Sequence, residues 1–405
     1  MTTTAKTLNV IIDEGTQVHF ERKQILRMIV VNLLARKHPF LLGPPGTNKS
    51  RLFRWLFEAI TGPGLQGEEP VYWEQLFNNQ LGLEDISGPI DMVAFDKQGV
   101  WHRKPDGYLP TAHVGFADEV FKANGSVRNP MLAMMNEFVA HLNSKPVSIP
   151  LLMLGMASNE MPEDQESGAF WDRRGCAAVV DYIQEDGNFD KLLQLAAGEI
   201  QQIAATRTSI ELAALQTAVF TEVPAIKVPS DMRDAIRNLK DACEHPSDGL
   251  PAIRVSDRRW YQAISLMQAD AYLREEPAVI EESLQILQWF LWETPEMIPA
   301  VEKRVVSLAS PQTAKAIEIA EAVDEWATKV ASVKGQSAQA KAELGAEVNG
   351  KIKKMFADLT ALEQDAHAAG RSTTKIEEVK TAVNNLRKTV LIECLNVPRE
   401  AAEKL

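Results

Sequence analysis

Cysteine is scarce: Cys176, Cys243 and Cys394 are the only three in a chain of 405 residues. They stand far apart, with no CxxC pair and no histidine at ligand spacing, which excludes a disulfide framework and argues against a structural metal. A reducing compartment is the expectation. Long apolar runs are also missing. No stretch is apolar enough to span a bilayer, and Met1 to Glu14 lacks the basic segment and apolar run of a secretory leader, so a soluble cytoplasmic protein without a membrane partner is expected. Positive charge is in deficit, with 43 Lys and Arg against 55 Asp and Glu and a formal net charge of -12. A general grip on phosphate backbones therefore does not fit the surface, and nucleic acid is not the expected partner. What is present, 45% apolar and 24% charged residues, is the composition of a folded globular chain, long enough for two or three domains.

The first half alternates short β-rich runs with helical patterns, the signature of an α/β domain with a mostly parallel sheet. Candidate strands are Phe40 to Leu42, Val71 to Glu74, His113 to Ala117, Ile149 to Ala157 and Ala177 to Tyr182. After about Asp190 the β signal stops and helical spacing takes over, as in Trp260, Ile264, Met267 and Ala271. The last hundred residues are rich in Ala, Lys and Glu, with glycines at 335, 345, 350 and 370. They carry three apolar stripes: Ile319, Val323, Trp326, Val330 and Val333; Leu344, Val348, Ile352, Met355, Leu359 and Leu362; and Ile376, Val379, Val383, Leu386 and Val390. The spacing predicts three amphipathic helices packed as a small bundle, the other possibility being a stripe left open to recruit a partner. Thr374 and Glu377 read as a capping box at the start of the last helix.

Phe40-Leu41-Leu42 leads into Gly43-Pro44-Pro45-Gly46-Thr47-Asn48-Lys49-Ser50, followed by Arg51 and a helix continuing to Ile60 and stopping at Gly62-Pro63-Gly64. Strand, Gly/Pro loop, Lys-Ser and helix in that order form a phosphate loop. Backbone N–H groups at a helix N-terminus bind the anion, Lys49 reaches the outer phosphates and the Ser50 hydroxyl meets Mg2+. One position departs from the usual G-x-x-x-x-G-K-[ST], because Asn48 stands where glycine precedes the lysine. Asparagine tolerates positive φ, so the loop is expected to form with a side chain beside the phosphates.

A Mg2+–ATP site also needs a carboxylate near the metal and a group that orients water. Val114 to Ala117 ends in Asp118-Glu119, with Asp118 placed to hold the metal through water and Glu119 to polarise the nucleophile. Pro150 to Ala157 ends in Ser158-Asn159, and ligands of open α/β sheets sit beyond such strand ends, so Asn159 can reach the γ-phosphate or the water. Asp172-Arg173-Arg174 precedes the fifth strand, where an arginine could stabilise transition-state charge on a neighbouring subunit's nucleotide. Arg258-Arg259 follows Ser256-Asp257 in the first turn of a helix, where the dipole disfavours cations, so an anion is expected nearby.

In order and spacing over about residues 15 to 305, the segments Phe20-Glu21-Arg22, Leu41 to Gly46, Gly107-Tyr108-Leu109-Pro110, Asp118 to Ala123, Ala157 to Pro162, Asp172-Arg173 and Val255 to Trp260 together resemble an AAA+ ATPase of the MoxR family, nearest its RavA-like regulatory branch. The resemblance implies an α/β fold: an αβα parallel-sheet core over residues 1–188, an all-α lid over 189–305, and the unmatched C-terminal helical bundle over 306–405. It implies a homo-oligomeric ring, commonly a hexamer, with ATP and Mg2+ between subunits. By the same match Lys49 and Ser50 are Walker A, Asp118 and Glu119 Walker B, Asn159 sensor 1, Arg173 the arginine finger and Arg258 sensor 2, with Arg174 and Arg259 as alternates. Glu84 to Pro89 with the turn-like Asp96 to Gly99 resembles an insert facing the ring's pore. Family members usually act with a von Willebrand factor A domain partner to remodel or activate a protein client. Two functions compete: an ATP-driven remodelling motor, and a nucleotide-gated scaffold with little hydrolysis, suggested by Asn48. A DNA-directed motor ranks below both.

Overall fold

Five apolar segments form the central sheet that the alternating pattern predicts. The computed structural model describes residues 3–99, 101–142, 145–162, 168, 170–199, 207–246, 249–309, 311–332, 338–368, 373–395 and 397. In it β1 (Phe40–Leu42), β3 (Tyr72–Leu76), β4 (Val114–Asp118), β7 (Met153–Ser158) and β8 (Ala177–Val179) pair in the order β3-β4-β7-β1-β8. Every pairing is parallel. All residues of β1 and β7 are buried, as expected where helices cover both faces of a parallel sheet.

Register carries most of the site's positioning. Phe40 faces Met156 and Ala177, and Leu42 faces Ser158 and Val179, so the chain leaves β1, β7 and β8 at the same edge. Helix α2 (Lys23–Leu34) is apolar almost throughout and buries residues from Ile25 to Leu34, whereas α3 (Lys49–Glu58) buries one stripe, Lys49, Leu52, Phe53 and Leu56. Phe53 stacks on Phe116 of β4 with centroids 4.8 Å apart. The same ring fills the space over Gly155 of β7, where a Cβ would overlap its carbons. The glycine thus sets how closely α3 lies on the sheet.

Several expectations need correction. A helix, α1 (Thr3–Thr16), precedes the Phe20-Glu21-Arg22 segment, so that segment leads into the second helix. The strands are shorter than their apolar runs at two places: β7 begins at Met153 rather than Ile149, and β8 ends at Val179 rather than Tyr182, although Ile149, Leu151, Leu152 and Val180 are buried. Burial without a ladder partner leaves the same hydrophobic signal. The helix after the phosphate loop ends at Glu58, because Ile60 and Thr61 form β2. β structure does not stop near Asp190, since β9 (Ile210–Glu211) pairs with β2. The antiparallel hairpin of β5 (Val139–Leu142) and β6 (Lys145–Ser148) also carries no apolar period, every residue of β6 being exposed. Asp96 to Gly99 is the end of a helix rather than a turn: α4 (Leu83–Ser87) is followed by α5 (Met92–Gln98), which Gly99 closes in the left-handed conformation.

Helices follow β8: α7 (Asp186–Ala196) after α6 (Gly125–Asn136) of the core, then α8 (Leu212–Thr217), α9 (Ser230–Glu244), α10 (Asp257–Leu273) and α11 (Ile298–Ala309). The chain forms two compact units, Met1–Val301 and Glu302–Leu405. In the second, α12 (Pro311–Ser332), α13 (Ala338–Ala368) and α14 (Thr374–Glu393) bury Val323, Val330, Val348, Ile352, Leu359, Val379, Val383 and Val390 in one core. These are positions of the three stripes. Val333, Gly335 and Gly370 lie outside the described residues. The expected cap is displaced by one residue: Thr373 is the N-cap, and its hydroxyl donates to Glu377 Oε1 at 2.7 Å. No helix among the described residues is long and apolar enough to cross a membrane.

Candidate functional site

The turn from β1 into α3 is built on three backbone conditions. A Cβ at Gly43 would collide with the Val180 carbonyl, Gly46 has φ 83°, and Asn48, the N-cap of α3, sits at φ 59° and ψ 31°. The left-handed Asn48 meets the expectation drawn from residue type, and its exposed side chain leaves the loop's inner surface open. The first amides of α3 have no intrahelical acceptor and its first turn holds no acid, so an N-terminal anion site is left without an internal competitor. Gly43 and Thr47 are buried, Pro44 and Ser50 half-buried, and Pro45, Gly46 and Arg51 exposed. The Thr47 hydroxyl donates to the Pro44 carbonyl at 3.0 Å and stiffens the loop.

Lys49 is 7% exposed, and its ammonium donates to Gly43 O at 2.7 Å, Pro44 O at 3.0 Å and Asn159 Oδ1 at 3.1 Å. All three of its hydrogens are thus engaged, one of them by the amide that ends β7. Burial lowers the Lys49 pKa while Asp118 and Glu119 oppose that shift. Asp118 closes β4, accepts from the Glu119 amide at 3.1 Å, and has its pKa raised by burial first and by Glu119 second. Glu119 is almost buried, holds a left-handed backbone at φ 55°, and lies 3.4 Å from Lys122 Nζ. Lys49, Asp118, Glu119 and Asn159 therefore gather at the carboxyl ends of three adjacent strands.

Beside the loop lies a cavity of about 180 Å³, walled by Val18, His19 and Phe20 on one side and Ile183, Phe189 and Leu192 on the other. Two polar ties hold the second wall. Glu21 accepts from the Gln184 and Glu185 amides and from Asn188 Nδ2, and the Tyr182 hydroxyl donates to Pro45 O at 3.3 Å. His19 meets Trp55 edge-on, and burial, then Arg51, Arg207 and Arg22, pull its pKa down to about 4, so the imidazole is neutral at pH 7. Sequence reasoning missed this cavity. Only the Phe20-Glu21-Arg22 segment hinted at it, since its walls come from stretches more than 160 residues apart.

The arginines are not brought to this cluster. Asp172 to Arg174 precede β8, whereas the phosphate loop follows β1, and the two strands are parallel and in register, so the groups occupy opposite ends of the sheet. The expected anions are found. Asp172 accepts from Ser256 Oγ at 3.0 Å and pairs with Arg258 Nη1 at 3.2 Å, joining the arginine loop to the start of α10. Arg174 and Arg259 are fully buried and both pair with Glu293. Neither alternate has surface to offer a ligand. Arg173 and Arg258 remain at least partly exposed.

Residues 6–219 match the family model described as the MoxR domain in the MoxR-vWA-beta-propeller ternary systems, and residues 231–305 match an AAA lid domain. Two uncharacterised proteins of Methanocaldococcus jannaschii are similar to the chain. One is 28% identical across 95% of the chain and 98% of its own length, the other 30% identical across 78% of each. Among solved structures, a candidate ATPase of Cytophaga hutchinsonii superposes with a TM-score of 0.56 at 16% identity, covering 74% of this chain and 94% of that one, a likeness of fold.

Proposed function

The chain belongs to the MoxR family of AAA+ ATPases, and from that premise we propose that it hydrolyses Mg2+–ATP at the interfaces of a homo-oligomeric ring, a hexamer, and so remodels or activates a protein client. A von Willebrand factor A domain protein is the partner suggested by the systems for which the matching family model is named. Residues 1–188 serve as the nucleotide-binding core, 189–305 as its lid and 306–405 as a helical appendage.

One observation carries this reading. Lys49, Asp118, Glu119 and Asn159 gather at one end of a parallel sheet, while the exposed arginines lie at the other. A triphosphate on the loop amides is out of reach of its own chain's Arg173, so a second copy must complete the site.

The donor set fits magnesium, since the Ser50 hydroxyl and the Asp118 carboxylate are hard oxygen donors. Among the described residues no cluster of three or more His, Cys, Asp or Glu could hold a metal, which suits an ion that enters with the nucleotide. When bound, it neutralises charge on the β- and γ-phosphates. The chain's own residues do the rest. Lys49 exchanges its two loop carbonyls for phosphate oxygens, and Asn159, already on Lys49, orients the γ-phosphate or the attacking water. Glu119, acid at the mouth of the site, accepts the water's proton as its oxygen attacks the γ-phosphorus. Arg173 and Arg258 of the neighbouring copy meet the charge that develops. The neutral His19 and the apolar walls of the cavity receive the base.

Asn48 favours turnover over a silent scaffold, since its left-handed backbone and exposed side chain leave the loop geometry undisturbed. The test is phosphate release across protein concentrations. Wild-type turnover rises with assembly, and Glu119→Gln loses about 10²–10⁴-fold of it while still binding ATP. Equal turnover in that variant removes Glu119 from the mechanism.

A further inference from the structure

Each exposed arginine is covalently next to a buried one, Arg173 to Arg174 and Arg258 to Arg259, and the buried two converge on a single carboxylate. Arg174 donates to Trp171 O at 3.0 Å and to Trp292 O, and its guanidinium stacks 3.6 Å from the Trp171 ring. Its Nη1 lies 3.7 Å from Glu293 Oε2. Arg259 donates to the other oxygen, Glu293 Oε1, and its guanidinium lies 4.6 Å from the Phe290 ring. Both arginines are 0% exposed, whereas the Glu293 side chain is 32% exposed. Two cations drawn out of water around one carboxylate are a costly arrangement, and an apolar trio of equal volume would be as stable or more so. Its use therefore lies in geometry.

We propose that Glu293 is the positioning residue for the trans-acting arginines: by holding Arg174 of the arginine loop and Arg259 of α10 at once, it fixes Arg173 and Arg258 as one rigid pair presented to the neighbouring copy's γ-phosphate. The proposal rests on the reading of Arg173 and Arg258 as acting across the interface. Asp172 supplies a second, exposed brace through Ser256 and Arg258, but only Glu293 separates two buried like charges. With that carboxylate neutralised, Arg174 and Arg259 repel, and the loop and α10 move apart. A shift of about 1 Å at such a group costs on the order of 100-fold in rate. The chain's own nucleotide site lies at the other end of the sheet and keeps its affinity.

Glu293→Gln keeps size and an acceptor while removing the charge. Expected are a turnover loss on the order of 10- to 100-fold and an ATP Kd within about twofold of wild type. The decisive readout is mixing. Lys49→Ala subunits bind no nucleotide but carry an intact arginine face, so adding them to Glu293→Gln subunits restores phosphate release, as it does for Arg173→Ala subunits. Adding Arg173→Ala subunits to Glu293→Gln subunits restores nothing. Wild-type turnover in Glu293→Gln, or a loss that Lys49→Ala subunits do not repair while they do repair Arg173→Ala, overturns the proposal. If Lys49→Ala fails to repair Arg173→Ala itself, the trans reading falls instead. Should Glu293→Gln lose its melting transition, Arg259→Lys, which keeps the charge but not the two-pronged grip, is put through the same mixing, and the same pattern decides.

Discussion

Replacing Gly155 by alanine tests whether the packing of α3 on the sheet sets the nucleotide site. The added Cβ would overlap the Cδ1, Cε1 and Cζ atoms of Phe53. Phe53 is 0% exposed and stacked on Phe116, so its ring cannot swing aside and α3 must lift. Overpacking of this kind costs about 2 kcal/mol, which in a unit of this size lowers the melting temperature by about 4 °C. Lys49 lies one helical turn before Phe53, so the lift also loosens its contacts, and ATP binding weakens about tenfold, or about 1.4 kcal/mol. Phe53→Leu makes room for the methyl at a cost of about 1 kcal/mol on its own. The double variant should then be more stable than the sum of its parts by about 1–2 kcal/mol. Seven of the eight tryptophans lie before Val301, so their fluorescence on melting reports the ATPase unit, and nucleotide titration gives the affinity. Strict additivity of the two substitutions, or an unchanged ATP affinity in Gly155→Ala, refutes the link between this contact and the loop.

The left-handed Asn48 gives a second test: Asn48→Gly keeps ATP affinity within about twofold, whereas Asn48→Val, forced into a conformation costing about 1–3 kcal/mol, weakens it about tenfold or more in the same titration. A third concerns Asp118, whose carboxyl burial and Glu119 hold above the ordinary aspartate range. A carboxyl that binds its proton more tightly in the folded state opposes folding once pH rises through its folded value. Asp118→Asn should therefore melt higher than wild type near pH 7 without nucleotide, and the gap should close as pH falls below the ordinary aspartate pKa. A gap that widens in acid reverses the assigned sign.

What the sequence revealed and what it concealed follow one physical division. The β1–loop–α3 turn was legible because its conditions are local: glycine where a carbonyl crowds the backbone, asparagine where φ is positive, lysine and serine at the helix start. The three C-terminal stripes were legible for a similar reason, since periodicity survives in one dimension. β2, β9 and the β5–β6 hairpin were not, because strands of two to four residues with exposed faces carry no period. The cavity was hidden by distance along the chain. Between Arg173 and Arg174, or Arg258 and Arg259, residue type offers no distinction, and only the turn geometry that sends one guanidinium inward and the other outward separates them.

That separation bears on why such a chain should assemble at all. In a parallel sheet every strand presents its carboxyl end to the same edge, so residues following β1, β4 and β7 meet there without further design, and residues preceding β8 are carried to the opposite edge. The polarity of the sheet thus divides the catalytic set into two halves that one copy cannot bring together, however its side chains rotate. Juxtaposing the carboxyl-end face of one molecule with the amino-end face of the next is a head-to-tail contact, which closes into a ring when the rotation between copies allows it. A mutation at either face then disables a site shared with a neighbour, so each face can be complemented separately by a copy whose other face is dead. Mutual rescue of Lys49→Ala and Arg173→Ala subunits follows from strand direction alone, before any detail of the phosphate chemistry is considered.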